Sequence, residues 1–260
     1  MPDPGIARLL PTVKTIAREA GQVILRFYTD SVSSTHIKAD GSPVTAADHA
    51  AEGVILPALH HLTPDIPIIS EEQHAAGASP ELQHGTFWLV DPLDGTRSYV
   101  DRTGEFTVNI GLIHDGVPVL GVIFLPVDGD LYAAAGPGTA VHCPDGRHEK
   151  PISARLPPAE GLTVLCSRSH GDRDVLDRYL ADKTVADRRP SSSSLKFCLL
   201  AAGLADIYPR FGPTSEWDTA AGHAILLAAG GSVETPDGKS LTYAKPRFLN
   251  PDFIAYGRRA

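Results

Sequence analysis

Cysteine is scarce. The chain has three in 260 residues, Cys143, Cys166 and Cys198, and no CxxC spacing. A thiol-rich zinc site is thereby excluded, and the odd count leaves at least one thiol unpaired within the chain, as suits a reducing compartment. Long apolar runs are missing as well: no stretch reaches about 18 residues. The richest run, from Ala220 to Gly230, is short and ends in glycine. No membrane-spanning helix is expected. The opening MPDPGIARLL lacks the basic start and unbroken apolar stretch of a signal peptide. A cytoplasmic location is expected, with peripheral attachment to an inner membrane left open. A basic surplus is absent too: 23 Lys and Arg stand against 31 Asp and Glu, a net charge of −8. Such a chain does not neutralise a long phosphate backbone, so nucleic acid is not an expected partner, although a local basic pocket for one small anion is compatible with it. Eleven histidines contain no HExxH, so that zinc-hydrolase pattern is also missing. Gly136-Pro137-Gly138 does not complete GxGxxG, and Gly238-Lys239-Ser240 has Val233 where a P-loop needs glycine. Internal repeats and low-complexity tracts are absent.

What is present is ordinary globular material. Hydrophobic residues make up 42% and charged residues 21%, enough for a substantial core in one or two domains. Leu9, Val13, Ile16, Ala20, Ile24 and Phe27 recur at helical spacing over Ile6–Tyr28, with Pro11 predicting a start near itself. Asp40 to Pro43 reads as a turn. A second helix is predicted from Thr45 to His61, with Thr45 as N-cap and Pro57 as a kink or early end. Asp65–Ser70 reads as a strand, Gln73–Gly85 as an exposed mobile loop, and Phe87–Val90 as a buried strand. Strands over 106–113, 117–125 and 131–135 follow, the first two joined by the hairpin signal Asp115-Gly116. After Gly146, strands at 162–166 and 205–208 alternate with helices at 175–180, 195–201 and 218–229, and Gly230-Gly231 closes the last. These segments predict two parts: 1–150, an N-terminal α+β part with most of the chemistry-bearing acids, and 151–260, a smaller α/β part.

Trp88-Leu89-Val90-Asp91-Pro92-Leu93-Asp94-Gly95-Thr96 is the most informative stretch. A buried strand ends in an aspartate, and a second aspartate lies three residues on. Proline and glycine predict a tight turn that brings both carboxylates to one point. Oxygen-only ligands of this kind suit a hard cation such as Mg²⁺. The Gly95 and Thr96 amides would meet a phosphate oxygen if a helix starts there. The plainer reading is a turn in which both acids cap the backbone. Two further acidic sites weigh against it: Ser70-Glu71-Glu72 after a strand, and Trp217-Asp218 at the head of an alanine-rich helix. Singly, each is also readable as a solvated pair or as a helix-start acid.

The motif set SEE (70–72), DPLDGT (91–96), WDTAAG (217–222) and the upstream PVTAAD (43–48) resembles that of the inositol monophosphatase superfamily. KADGSPVTAAD (38–48), GEFTVNIGLI (104–113), the stretch from Ser193 to Ala224 and FLNP (248–251) are most similar to its CysQ-type 3'(2'),5'-bisphosphate nucleotidase branch. The resemblance spans nearly the whole chain. It implies the layered αβαβα sandwich of the sugar phosphatases, two or three Mg²⁺ ions per site, lithium sensitivity and a place in sulfur metabolism. It implies that Glu71, Asp91 and the Leu93 carbonyl form a first metal site and that Asp91, Asp94 and Asp218 form a second. Asp48, Glu71 and Thr96 would orient the metal-activated water, and the role of Glu72 stays open. The implied reaction is hydrolysis of adenosine 3',5'-bisphosphate to AMP and phosphate, with 3'-phosphoadenylyl sulfate as a second candidate substrate. A D-x-D-x-T nucleophile frame is excluded, because Pro92 and Leu93 separate the two aspartates.

Specificity rests on other residues. Arg210 stands where the inositol-cleaving branch carries an acid, and a guanidinium favours an anion over neutral hydroxyls. Lys196 is a second cation toward substrate, and Ser193, Ser194, Gly95, Thr96 and Asp218 complete the candidate contacts. The plainer readings are a surface ion pair for Arg210, a helix-face lysine for Lys196 and a capped loop for the serines. His223 reads as a core histidine. Phosphatases for inositol 1-phosphate or histidinol phosphate, and a non-catalytic nucleotide-sensing protein, are the rival functions. The oligomeric state is not readable.

Overall fold

The computed structural model describes residues 4–29, 35–37, 43–82, 85–168 and 173–259. The turn expected at Asp40 to Pro43 lies mostly outside them, as does the start of the stretch 38–48. The helices are α1 (Pro4–Thr29), α2 (Ala46–Leu62), α3 (Glu71–Ala75), α4 (Thr96–Val100), α5 (Arg173–Leu180), α6 (Leu195–Ala201) and α7 (Glu216–Ala228). A small antiparallel pair joins β1 (Thr35–Ile37) to β2 (Pro43–Thr45).

The larger sheet holds β3 (Ile68–Ser70), β4 (Thr86–Asp94), β5 (Thr107–His114), β6 (Val117–Leu125), β7 (Asp130–Ala135), β8 (Val141–Cys143) and β9 (Lys150–Pro151), in that spatial order. Only its β3–β4 pair is parallel. The smaller sheet holds β10 (Leu162–Ser167), β11 (Val185–Ser191), β12 (Ile207–Arg210), β13 (Ser232–Glu234) and β14 (Phe253–Tyr256), in the order β11-β10-β12-β14-β13. It is mixed, with β10 parallel to both β11 and β12 and with β14 antiparallel to both β12 and β13.

The alternation of side chains along each strand builds the layers. Trp88, Val90, Val108, Ile110, Leu120 and Val122 face α1 and α2. The opposite face offers Phe87, Leu89 and Ile113 to Trp217 and Ala220 of α7, and Ile123 and Tyr132 to α6 and α7. Phe253 and Tyr208 of the smaller sheet close that second core. The far face of the smaller sheet, with Val164, Ile207 and Ile254, packs on Leu176 and Leu180 of α5. The outcome is the predicted αβαβα sandwich, with α7 between the sheets.

α7 lies close against the larger sheet because Gly111 and Gly121, partners across β5 and β6, have no side chain. A Cβ on Gly111 would stand 2.8 Å from the Ala220 Cβ, and one on Gly121 would stand 2.2 Å from the Ala221 carbonyl oxygen. The hairpin at Asp115-Gly116 forms as expected, with φ of 49° and 76°, the left-handed pair that a tight two-residue turn requires.

Several expectations need correction. α1 begins at Pro4 and passes through Pro11, at an exposed position where water can serve the carbonyl that loses its N–H partner. α2 runs through Pro57 to Leu62. Pro57 and Gly53, four residues before it, are both exposed, so water can serve the Gly53 carbonyl that loses its N–H partner. The start of the expected loop at Gln73 is helical, within α3. The polar strand β11 (VADRRPS) is missed, because an exposed edge strand need not alternate. The strand expected at 205–208 lies at 207–210.

Candidate active site

The chemistry-bearing acids sit at the ends of strands and the heads of helices. β4 does not turn after Asp91. It stays paired with β5 through a bulge, with Asp91 opposite Asn109 and Asp94 opposite Thr107. Three steps on one strand against two on the other leave one extra residue. The bulge accommodates Pro92 and brings both aspartates out near one end of the strand. Gly95 follows in the left-handed region at φ 89° and caps α4, whose first residue is Thr96. The expected tight turn is therefore a bulge followed by a helix start.

Glu71 opens α3, and the N-cap Ser70 is buried, donating its hydroxyl to Glu52. Asp48 and Asp218 are the third residues of their helices, and each carboxylate bonds back to the N-cap backbone. Thr45 N donates to Asp48 Oδ2 at 2.8 Å, and Ser215 N donates to Asp218 Oδ2 at 2.8 Å. This is a capping box with aspartate in the glutamate position. It ties one oxygen of each acid to the backbone.

One cavity of about 720 Å³ is lined by Glu71, Asp91, Leu93, Asp94, Gly95, Thr96, Ser193, Ser194, Lys196, Arg210 and Asp218. Of the residues singled out from the sequence, Asp48, Glu72 and His223 are not in its lining, and all three are buried. Asp48 reaches the site through Thr96, whose hydroxyl lies 3.4 Å from Asp48 Oδ1 and 3.2 Å from the Leu93 carbonyl oxygen. Asp91 is buried and accepts from Leu93 N at 3.0 Å. Burial, and then the charges on Asp94 and Glu71, push the Asp218 carboxyl well above the usual carboxylate range. Among the described residues no three His, Cys, Asp or Glu side chains stand close enough, as placed, to hold one ion. The acids share a cavity without closing on a single centre. Their donor chemistry, carboxylates plus one carbonyl, fits a hard divalent cation, and the mutual repulsion felt by Asp218 is what such a cation relieves.

Asp94 Oδ2 accepts from Ser194 N at 2.7 Å, Ser193 Oγ at 2.8 Å and Asn109 Nδ2 at 3.2 Å. Thr107 links this group further, 2.5 Å from Ser193 Oγ and 2.9 Å from Ser194 Oγ. Ser193, at φ 56°, is held in the left-handed region. The serines expected to face substrate thus hold Asp94 and join the two sheets.

Lys196 is no surface lysine. It is 3% exposed, donates to the Ser193 and Ser191 carbonyls at 2.6 and 3.2 Å, and lies 5.0 Å from the centre of the Tyr208 ring. Burial, helped by the Arg210 charge, brings its ammonium down to about 8. Arg210 is 9% exposed, donates from Nη2 to the Pro213 carbonyl at 2.8 Å and makes no ion pair among the described residues. Its Nε is buried with no hydrogen-bond partner among them. The surface-ion-pair reading of Arg210 is overturned. His223 is a core residue, as read from the sequence, with Nδ1 3.0 Å from the Tyr243 hydroxyl. Sequence reasoning missed Thr107, Asn109, Glu216 and Asn250. The first two lie within GEFTVNIGLI and Asn250 within FLNP, but their partners come from elements distant along the chain.

The inositol monophosphatase family profile matches residues 7–257, and the chain belongs to that family. The 3'(2'),5'-bisphosphate nucleotidase CysQ of Salmonella typhimurium (strain LT2) is 48% identical over 249 residues, 94% of this chain and 98% of the relative. The protein of the same name from Escherichia coli (strain K12) is 46% identical over 248 residues, again 94% and 98%. Among solved structures, CysQ from Bacteroides thetaiotaomicron has a TM-score of 0.79 at 37% identity, over 96% of this chain and 97% of that one. An inositol monophosphatase from Anabaena has a TM-score of 0.75 at 26% identity, over 98% and 92%. No helix of the described residues is long and apolar enough to cross a membrane.

Proposed function

We propose that this chain is a Mg²⁺-dependent 3'(2'),5'-bisphosphate nucleotidase that hydrolyses adenosine 3',5'-bisphosphate to AMP and phosphate, with 3'-phosphoadenylyl sulfate as a second substrate. The observation that carries this reading is Arg210, a buried guanidinium with no carboxylate partner among the described residues, in the cavity wall that also holds Glu71, Asp91, Asp94 and Asp218. A site for a neutral sugar alcohol does not need that charge. A nucleotide with a second phosphate does. Near-full-length identity to CysQ nucleotidases supports the same substrate class.

Glu71, Asp91, Asp94, Asp218 and the Leu93 carbonyl are the proposed magnesium ligands. When bound, magnesium lowers the pKa of water and offsets charge on the phosphoryl oxygens. Thr96 and Asp48 orient the attacking water with Glu71. The Thr96 hydroxyl has one proton and two acceptors in reach, Asp48 Oδ1 and the Leu93 carbonyl, which leaves its lone pairs for a water proton. The water oxygen bonds to phosphorus, the bond to the 3' oxygen breaks, and that oxygen ends protonated. The Gly95 and Thr96 amides at the head of α4 meet phosphoryl oxygens. Arg210 and Lys196 face the remaining phosphate, and Ser193 and Ser194 lie toward the sugar. We read residues 1–150 and 151–260 as two parts meeting at this site. We place its work in the cytoplasm, in keeping with three unpaired cysteines.

The test is phosphate release from adenosine 3',5'-bisphosphate, 3'-phosphoadenylyl sulfate, inositol 1-phosphate and histidinol phosphate, with and without Mg²⁺. Release from a bisphosphate nucleotide that depends on Mg²⁺ is expected, with Arg210→Glu reducing that preference. Faster release from inositol 1-phosphate or histidinol phosphate assigns the rival phosphatase. Nucleotide binding without turnover assigns the sensing protein.

A further inference from the structure

The segment 244–250 is not used by the mechanism above, yet it is bound closely to the head of α7. Glu216, the first residue of α7, is fully buried. Its carboxylate accepts from Ala244 N at 2.9 Å and Lys245 N at 2.8 Å, and pairs with Lys245 Nζ at 2.6 Å. At the other end of the segment, Asn250 N donates to the Thr214 carbonyl at 2.9 Å. Asn250 Nδ2 lies 2.7 Å from the Ser215 carbonyl oxygen, 3.1 Å from Thr219 Oγ1 and 3.3 Å from Thr214 Oγ1. Ser215 also bridges to Leu249. Between these anchors Ala244, Arg247 and Phe248 hold φ of 73°, 59° and 53°, a left-handed backbone that L-residues keep only where their surroundings enforce it.

Ser215 is the residue whose N–H holds Asp218 Oδ2. The chain of contacts runs from Asn250 to Ser215 to Asp218. We infer that Asn250 and Glu216 are positioning residues: together they fix the head of α7 so that Asp218 presents its remaining carboxylate oxygen to the cavity at a set angle. The inference rests on the reading of Asp218 as a metal ligand. The orientation of the Asn250 amide is dictated by its neighbours, since only an N–H can face the Ser215 carbonyl. The consequence is that its own Oδ1 is buried without a partner among the described residues. Asp at this position has the same shape and places an acceptor against that carbonyl.

The experiment measures Mn²⁺ binding to the nucleotide-free protein by electron paramagnetic resonance, alongside kcat and KM at saturating Mg²⁺, for Asn250→Asp and Glu216→Gln. Loss of a group that orients a ligand lowers metal affinity by about 10–100-fold. Both variants are expected to bind Mn²⁺ about tenfold or more weakly, with reduced kcat and KM for the nucleotide within about twofold. Glu216→Gln, which keeps shape and one acceptor oxygen, carries the test should Asn250→Asp not fold. A folded variant with a lower thermal midpoint but wild-type Mn²⁺ affinity and kcat overturns the inference, because the segment is then only structural. A wild-type protein that binds no Mn²⁺ takes down the metal-ligand reading as well, which separates the two failures.

Discussion

At the head of α2, Thr45 holds Asp48, and at the head of α7, Ser215 holds Asp218, each by a backbone N–H 2.8 Å from Oδ2. The device is the same and the surroundings differ. Asp48 is also reached by its own N-cap hydroxyl at 2.7 Å, and α2 lies on the outer face of the larger sheet with Gly53 and Pro57 toward solvent. α7 is enclosed between two sheets, and its acid faces Asp94 and Glu71. One carboxylate is stabilised as an anion by its donors. The other is buried beside Asp94 and Glu71, which make its charge unwelcome. A capping box fixes direction, and the neighbours decide what the fixed group is for.

The sharpest way to break that comparison is to neutralise each acid in turn. Asp218→Asn is expected to lower kcat/KM by more than about 100-fold, beyond the loss from removing a group that only orients a ligand. In EDTA the same variant should raise the thermal midpoint, because the charges on Asp94 and Glu71 no longer oppose it. Asp48→Asn should lower that midpoint, since an anion that accepts hydrogen bonds from Thr45 and Thr96 is gone. Midpoints moving in the same direction would end the contrast.

Packing is the next test. Gly121→Ala puts a methyl 2.2 Å from the Ala221 carbonyl oxygen. It should cost about 3 kcal/mol in urea unfolding, the upper part of the overpacking range. Gly53→Ala, in open space on α2, should stabilise by roughly 0.5–1 kcal/mol.

Acid sensitivity should also sit with α7. Burial brings the His223 imidazole down to about 3, while an unfolded chain takes up that proton near pH 6.5. Between those values the unfolded state binds more protons, so stability is whole above about pH 6.5 and falls as the pH drops toward 3, by about 3 kcal/mol at pH 4. His223→Gln should flatten that limb in a pH series of urea midpoints. A modest effect is expected at the N-cap of α2, where Thr45→Ala should cost about 1 kcal/mol.

The layered fold was largely readable, because hydrophobic periodicity and turn chemistry are local. The Asp115-Gly116 hairpin, the Thr45 cap and the strand into Asp91 all follow from neighbours within a few residues. The site was readable as residue types and only partly as geometry. Pro92 and Gly95 look like a turn, yet pairing with β5 converts them into a bulge, and a bulge depends on the partner strand. Arg210 and Lys196 were legible as candidate cations toward substrate, but their burial was not, since burial of a charge is set by what packs over it. The hold of Ser193 and Ser194 on Asp94 was not legible, because those bonds span about 100 residues of sequence. Asn250 has no local signal for its hold on Ser215.

The glycine pair beneath α7 has a consequence for chemistry as well as packing. Asp91 and Asp94 belong to the larger sheet and Asp218 to the helix resting on it, so the gap between them is gauged by two methyl groups that Gly111 and Gly121 do not carry. A carbon added there would act as a shim, lifting one jaw of the vice from the other without touching any acid.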